Sequence, residues 1–438
     1  MIFLQNLWWL LVLIGVMILI HELGHYWAAR FFDVRVDAFS FGFGPRLFGF
    51  KRGDTDFRFS PILFGGYVKM AGDQPGDDNI LDPRALLAKS RWQRLVIAFA
   101  GPFMNIILAV GILTGLYMVR FPKLPNHPNP TVGYVVPGGP ADKAGVKEGD
   151  RILQVDDNAK PVWEDIALKE VASAQRPMQV WVERNGQRLH FAVTPALDPK
   201  QGVGIAGWDE RMDVEVAGVM PGMDAEKAGL KAGDLLVAVN GDPVRSTPKL
   251  HDIIDATGGK PVAITYRRGG RNREVTITPA QSNLDGVERW MIGVRLENHI
   301  VFTSLSFPEA LFESVRQNAR DATLVYRFLE GIVERRMSAK SLTGPIGIAQ
   351  ASGEAAREGL TPFLGLMVMV SLNLAIFNLL PIPILDGGVI LMLLVEMLMR
   401  RDLSMQVKET VFKVGFVFLM AVVAFVLYND ITKIISPS

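Results

Sequence analysis

The chain has 438 residues, 49% of them hydrophobic and 21% charged, with a mean hydropathy of +0.23. That is apolar for a soluble protein and long enough for about two to four domains. Lysine and arginine (46) nearly match aspartate and glutamate (45), so the net charge of +1 carries no basic excess of the kind that nucleic-acid binding requires. Cysteine is absent, which excludes disulfides and thiolate chemistry and leaves six histidines and the carboxylates as metal ligands.

The first predicted element is an unbroken apolar run, Leu7 to Ile20, that leads into His21-Glu22-Leu23-Gly24-His25. It predicts a transmembrane helix over Leu7 to Ala29, within a segment 1–30. A cleaved leader is disfavoured: Met1 to Asn6 has no basic residue, and cleavage near Ala28-Ala29 would discard the histidines. Segment 31–94 follows. Within it, Val34 to Met70 alternates in the strand manner and is punctuated by Gly42-Phe43-Gly44-Pro45 and Gly65-Gly66. It predicts β-hairpins lying against the membrane, ahead of a basic loop. A second span is expected over 95–119.

The polar middle contains a repeat. Ala141-Asp142-Lys143-Ala144-Gly145-Val146-Lys147-Glu148-Gly149-Asp150 recurs as Ala225-Glu226-Lys227-Ala228-Gly229-Leu230-Lys231-Ala232-Gly233-Asp234, 84 residues on, and each copy runs into a strand. The pattern resembles the PDZ domains of bacterial proteases, which implies tandem α+β units over 120–212 and 213–300. In 301–362, Phe307 to Met337 has helical apolar spacing through Leu311, Val315, Ala322, Val325, Leu329, Ile332 and Val333. It fits a helix on the membrane surface or one packed on the second repeat. The apolar region 363–399 is too long for one straight crossing and is interrupted at Pro381 and Pro383. A loop over 400–410 precedes a fourth span over 411–428.

The short loops set orientation. Arg84, Lys89, Arg91 and Arg94 precede the second span, and Arg400, Arg401, Lys408 and Lys413 lie around the last loop. The positive-inside rule places both in the cytoplasm. The 120–362 segment then faces the other side, the periplasm in a bacterial inner membrane. The expected fold is a multi-pass α-helical membrane protein with four transmembrane helices, a membrane-associated β-hairpin region and two tandem periplasmic α+β units.

On a helix, HExxH sets two imidazoles one turn apart on one face, with a carboxylate beside them. This arrangement suits a zinc ion and its water, and ionisable groups at membrane depth are usually functional. A catalytic zinc takes a third protein ligand. His190, His251 and His299 fall in the polar middle, and His127 in a proline-rich linker. Asp386 lies inside the apolar region, in Asn378-Leu379-Leu380-Pro381-Ile382-Pro383-Ile384-Leu385-Asp386-Gly387-Gly388, and suits the role; its alternative is an N-cap for the helix resuming at Gly387. Glu396 competes as a ligand, although it is placed to pair with Arg400-Arg401.

Taken together, HExxH in the first span, N-x-x-P-x-P-x-L-D-G-G in the third and tandem repeats between them resemble the site-2 protease family of intramembrane zinc metalloproteases, peptidase family M50. The resemblance covers essentially the whole chain. It implies Zn2+ held by His21, His25 and Asp386, with Glu22 as general base. It also implies that Asn378, Pro381 and Pro383 hold substrate, and that Gly42 and Gly44 belong to a membrane-reentrant hairpin. Gly344-Pro345-Ile346-Gly347-Ile348 looks like a further family segment. The implied substrate is a single-span membrane protein of the anti-sigma-factor kind, already trimmed on its periplasmic side, within the lipid bilayer; signal-peptide remnants are a second substrate class. The tandem units then bind peptide termini or exclude bulky substrates. Read from the residues alone, Asn378 is also explicable as interhelical polar glue, and Gly42 and Gly44 as turn glycines. Two other functional classes remain: a membrane-anchored adaptor with an inert metal motif, which predicts that Glu22→Gln leaves function intact, and a metal transporter, for which the intramembrane carboxylates are too few.

Overall fold

The computed structural model describes residues 2–73, 82–123, 130–198, 202–284, 287–299, 301–334 and 343–435. His127 therefore lies outside the described residues. The chain divides into two compact units: one comprises Met1–Phe121, Ser304–Tyr326 and Leu342–Ser438, the other Pro122–Thr303 and Arg327–Ser341.

In the first unit, α1 (Ile2–Phe31) carries the HExxH motif and leads into a four-stranded sheet of β1 (Val36–Phe43), β2 (Phe48–Arg52), β3 (Thr55–Phe59) and β4 (Ile62–Met70), in the order β2-β3-β1-β4. Simple hairpins were expected here. Only β2–β3 is one; β1 pairs antiparallel with β4 but parallel with β3. The ladder is interrupted between Phe41 and Phe43. Gly42 sits there at φ +93°, and a Cβ on it would meet the Ser60 carbonyl oxygen at 2.5 Å. The bulge thus needs glycine for backbone reasons alone. Gly44 (φ +104°) turns the chain just beyond β1.

Helix α2 (Arg91–Val119) starts at a capping box in which the Ser90 hydroxyl and the Gln93 side chain satisfy each other's backbone N–H groups. It crosses α1 closely where small residues meet: a Cβ on Gly24 would lie 2.3 Å from the Ala100 carbonyl oxygen.

The second unit holds the repeats, each with its own core. The first has strands Arg151–Val155, Met178–Arg184 and Gln187–Val193 in one sheet, strand Val132–Val135 paired with Trp208–Glu210, and helices α3 (Pro140–Ala144) and α4 (Trp163–Ala172). The second sheet orders its strands as Arg271–Ile277, Val262–Arg268, Leu235–Val239, Val214–Val219 and Val294–Asn298, with α5 (Asp224–Lys227) and α6 (Thr247–Ala256).

The repeated Gly-Asp signature has a structural reason. Buried Asp150 takes a bidentate bond from Arg184 at 2.7 Å, while the same guanidinium reaches the Gly145 carbonyl at 2.8 Å. Asp234, Arg268 and Gly229 repeat the arrangement. Replacing Arg184 with alanine strands a buried carboxylate. It is expected to lower stability by about 3 kcal/mol, as breaking a buried ion pair from one side does. Denaturant unfolding of the full chain checks this, and an unchanged midpoint would contradict it.

The expected amphipathic helix is α7 (Phe307–Val333). Within the first unit it meets α2 at Ser314 and at Ala322, the smallest residue of the expected apolar spacing. Ala310, Ser314 and Asn318 are buried, and the Ser314 hydroxyl donates to the Val110 carbonyl at 2.8 Å. Ala322 packs with Ala109, whereas Leu311, Val315 and Val333 stay exposed.

The Gly344-Pro345 segment begins α8 (Pro345–Glu358), whose first amides are capped by the buried Asp430 carboxylate. The long apolar region divides into α9 (Leu360–Asn378) and α10 (Asp386–Met399) around the two prolines. α10 has 14 residues, a length of about 21 Å, against a hydrocarbon core of about 30 Å. The last helix is α11 (Met405–Ile435). Among the described residues, four helices are long and apolar enough to cross a membrane: Ile2–Phe31, Arg91–Val119, Leu360–Asn378 and Gln406–Thr432.

Candidate active site

His21 and His25 project one turn apart from α1, and their Nε2 atoms lie 3.2 Å from each other. Asp386, the first residue of α10, meets both: Oδ2 is 3.1 Å from His21 Nε2, and Oδ1 is 3.5 Å from His25 Nε2. All three side chains are largely buried. The N-cap alternative for Asp386 is not realised, because Leu385 occupies that position and no side chain caps the helix. What brings Asp386 in is the turn over residues 379–385. A Cβ on Gly387 would overlap the Leu380 carbonyl oxygen, and one on Gly388 that of Ile382.

The second ring nitrogen of each histidine is also accounted for. His25 Nδ1 is 2.8 Å from the Ile97 carbonyl, which only accepts, so Nδ1 carries the proton and Nε2 keeps its lone pair. His21 Nδ1 faces the Asn105 amide at 3.3 Å, and Asn105 Oδ1 is buried with no hydrogen-bond partner. Turning that amide over gives Oδ1 the Nδ1 proton and sets His21 in the same tautomer. Both Nε2 lone pairs then point at one place, where a carboxylate also points.

These residues fit a zinc ion. Tetrahedral coordination at the usual bond lengths separates ligand atoms by about 3.3 Å, which is the spacing of the His21, His25 and Asp386 donors. Together they are the three-ligand cluster found among the described residues. The space beside them is kept open by Gly101 of α2, where a Cβ would stand 2.3 Å from His25 Nε2 and 2.8 Å from His21 Nε2.

Glu22 stands outside the triad and lines the same cavity as His25 and Asp386. A Cβ on Gly66 of β4 would lie 3.1 Å from Glu22 Cγ, so the free edge strand of the sheet passes directly by this carboxylate. The cavity, of about 580 Å3, runs from Glu22 past Met392 and Leu393 to Arg94, Glu396 and Lys408. Glu396, the competing ligand, is not in the triad. Its partners are Lys408 at 2.7 Å, the Leu403 amide at 3.0 Å and Arg94 at 3.9 Å, rather than Arg400 and Arg401. The remaining histidines are engaged elsewhere: His190 with Gln179 and Trp181, and His299 with Glu215; His251 lies on α6.

Asn378 ends α9, and no hydrogen bond from its side chain to the triad is found among the described residues. Pro383 is wedged between α10 and α11, against Gly388 and Gly415, while Pro381 is exposed. Sequence reasoning missed Asn105 and Gly101. The signal was available as a polar residue and a glycine inside a predicted span, but nothing in the sequence says which helix they face.

The profile of Peptidase family M50 matches residues 9–422. A protein of Xylella fastidiosa (strain Temecula1) carrying a zinc metalloprotease name is 31% identical, covering 98% of this chain and 99% of its own. The regulator of sigma-E protease RseP of Salmonella typhimurium (strain 14028s) is 30% identical over 98% of this chain and 99% of its own. Among solved structures, a PDZ domain of an SdrC-like protein from Listeria monocytogenes is 28% identical over 19% of this chain and 86% of its own, with a TM-score of 0.18.

Proposed function

We propose, for a chain that belongs to peptidase family M50 and is a metalloendopeptidase, that it cleaves transmembrane segments of single-span membrane proteins inside the bacterial inner membrane. The observation that carries this reading is the triad of His21, His25 and Asp386, set with Glu22 among helices apolar enough to span.

His21, His25 and Asp386 would hold zinc. When bound, the ion supplies a Lewis acid for the scissile carbonyl and lowers the pKa of its water to about 7. Glu22 accepts a proton from the attacking water and returns it to the leaving amine. A helical substrate hides its peptide bonds, so it must unwind. The free edge of β4 beside Glu22 offers backbone groups that hold an extended strand by β-addition. Asn378, the last residue of α9, would hydrogen-bond the freed backbone, and Pro381 and Pro383, in the turn that follows, would hold the substrate beside it.

The excess of arginine and lysine in the short loops favours a cytoplasmic position for the cavity's Arg94–Lys408 end and a periplasmic one for the repeats. The named relative regulates sigma-E, and the favoured substrate here is likewise an anti-sigma factor trimmed on its outer side. The repeats would then exclude substrates that still carry a bulky periplasmic domain.

Cleavage of a single-span substrate in proteoliposomes tests the reading. A chelator is expected to abolish it and added zinc to restore it. Cleavage that persists at full rate in metal-stripped protein would overturn the proposal.

A further inference from the structure

The two repeats end in equivalent loops with different occupants. Ala206-Gly207-Trp208 in the first corresponds to Ile292-Gly293-Val294 in the second, with the glycines at φ +75° and +82°. Each glycine carbonyl accepts a 2.8 Å bond from the facing segment of its own repeat, from the Val136 and Met220 amides respectively. Helices α4 and α6 flank the loops and stand 84 residues apart in sequence.

In the first repeat the Glu170 carboxylate, from the last turn of α4, accepts from the buried Ala206 amide and, at 2.8 Å, from Trp208 Nε1. The helix backbone closes on the same loop, where a Cβ on Gly204 would lie 2.3 Å from the Glu170 carbonyl oxygen. In the second repeat, Ile254 stands in place of Glu170 and is buried in the core. The helix carboxylate nearest in sequence, Asp255, binds the Trp290 amide at the exposed start of the loop, two residues before Ile292.

We propose that Glu170 holds closed the peptide-terminus site expected of the first repeat, as an intramolecular competitor for the terminal carboxylate of an extended peptide. Loop amides beside a strand edge capture chain-terminal carboxylates, while the strand takes the peptide by β-addition. Strand Trp208–Glu210 is paired on one edge only, with Val132–Val135. The loop's taste for a carboxylate is visible in its present occupant. A tethered competitor acts at an effective concentration in the millimolar range or above, so an ordinary peptide terminus does not displace it. Burial pushes the Glu170 carboxyl up, and its two hydrogen bonds oppose that. The difference between Glu170 and Ile254 makes the tandem units unequal: one self-capped, one not. This inference stands apart from the proteolytic reading, since binding alone is measured.

The test uses the full chain in detergent, titrated with a fluorescein-labelled ten-residue peptide ending in valine, as the free acid and as the amide. Glu170→Ala is expected to gain one acid-dependent site, with affinity raised about tenfold or more, the usual worth of charge-assisted hydrogen bonds released to a new partner. The amide should gain nothing. Glu170→Gln keeps the side-chain size and serves if alanine unfolds the repeat; the weaker neutral acceptor should give a smaller gain in the same direction. Folded variants that gain no site, a gain shared equally by the amide, or a wild-type protein already binding at Ala206-Gly207-Trp208 would each overturn the proposal.

Discussion

Replacing Glu22 with glutamine is expected to slow cleavage of a reconstituted single-span substrate by about 10³-fold, within the 10²–10⁴ range of a lost general base, while zinc content and fold persist. Glutamine keeps the volume and hydrogen-bonding reach of glutamate but cannot take a proton. Glu22 is next to His21 in sequence, yet its carboxylate is not part of the cluster formed by His21, His25 and Asp386. It lines the cavity on the side where Gly66 brings β4 past it. The substitution thus removes the proposed base and leaves the His21, His25 and Asp386 cluster intact. Single-turnover cleavage and metal analysis on the same preparation separate the two. A variant that retains zinc and cleaves within tenfold of wild type would show that another group handles the proton, or that the activity lies elsewhere.

The parts of this site that could be read beforehand are those written along one element. HExxH gives its geometry through the helical repeat, and Asp386 stands out because a carboxylate in a long apolar stretch calls for a partner. The proline pair likewise announces the break between α9 and α10. What the linear pattern hides is which faces meet. Asn105 and Gly101 are ordinary residues of a predicted span until α2 crosses α1. One then orients His21, and the other leaves the space in which the imidazoles converge. The expectation that Glu396 pairs with Arg400-Arg401 is not met: its nearest cation is Lys408, because the chain reverses between α10 and α11 and returns that lysine to the carboxylate. The same limit explains the sheet: alternation marks Val34 to Met70 as strands, but the parallel pairing of β1 with β3 depends on non-local contacts. In α7 the apolar stripe was legible. That Ser314 bonds α2, with Ala310 and Asn318 buried beside it on α7, was not, since small residues carry no periodic signal.

Asp386→Asn is expected to lower zinc affinity by about 100-fold or more, since losing a group that merely hydrogen-bonds a ligand already costs about 10–100-fold. Cleavage should fall with it. Two neutral imidazoles and one carboxylate leave a bound Zn2+ with a net charge of +1; asparagine leaves +2 in apolar surroundings, where unpaired charge is costly. The amide oxygen is also a weaker donor than a carboxylate. The helix itself should be unharmed, because Leu385 is the N-cap of α10 and the Asp386 oxygens face His21 and His25. Zinc stoichiometry after dialysis at fixed free metal therefore reports coordination rather than folding. Glu396→Gln supplies the contrast: it breaks a buried contact with Lys408 and should leave zinc at one per chain. If the Asp386 variant keeps its zinc while the Glu396 variant loses it, the third ligand is Glu396, and the approach of α10 to α1 seen here is not the metal-bound arrangement. If both keep it, two histidines and a ligand outside α10 suffice, and Asp386 is left with the task of orienting His21 and His25.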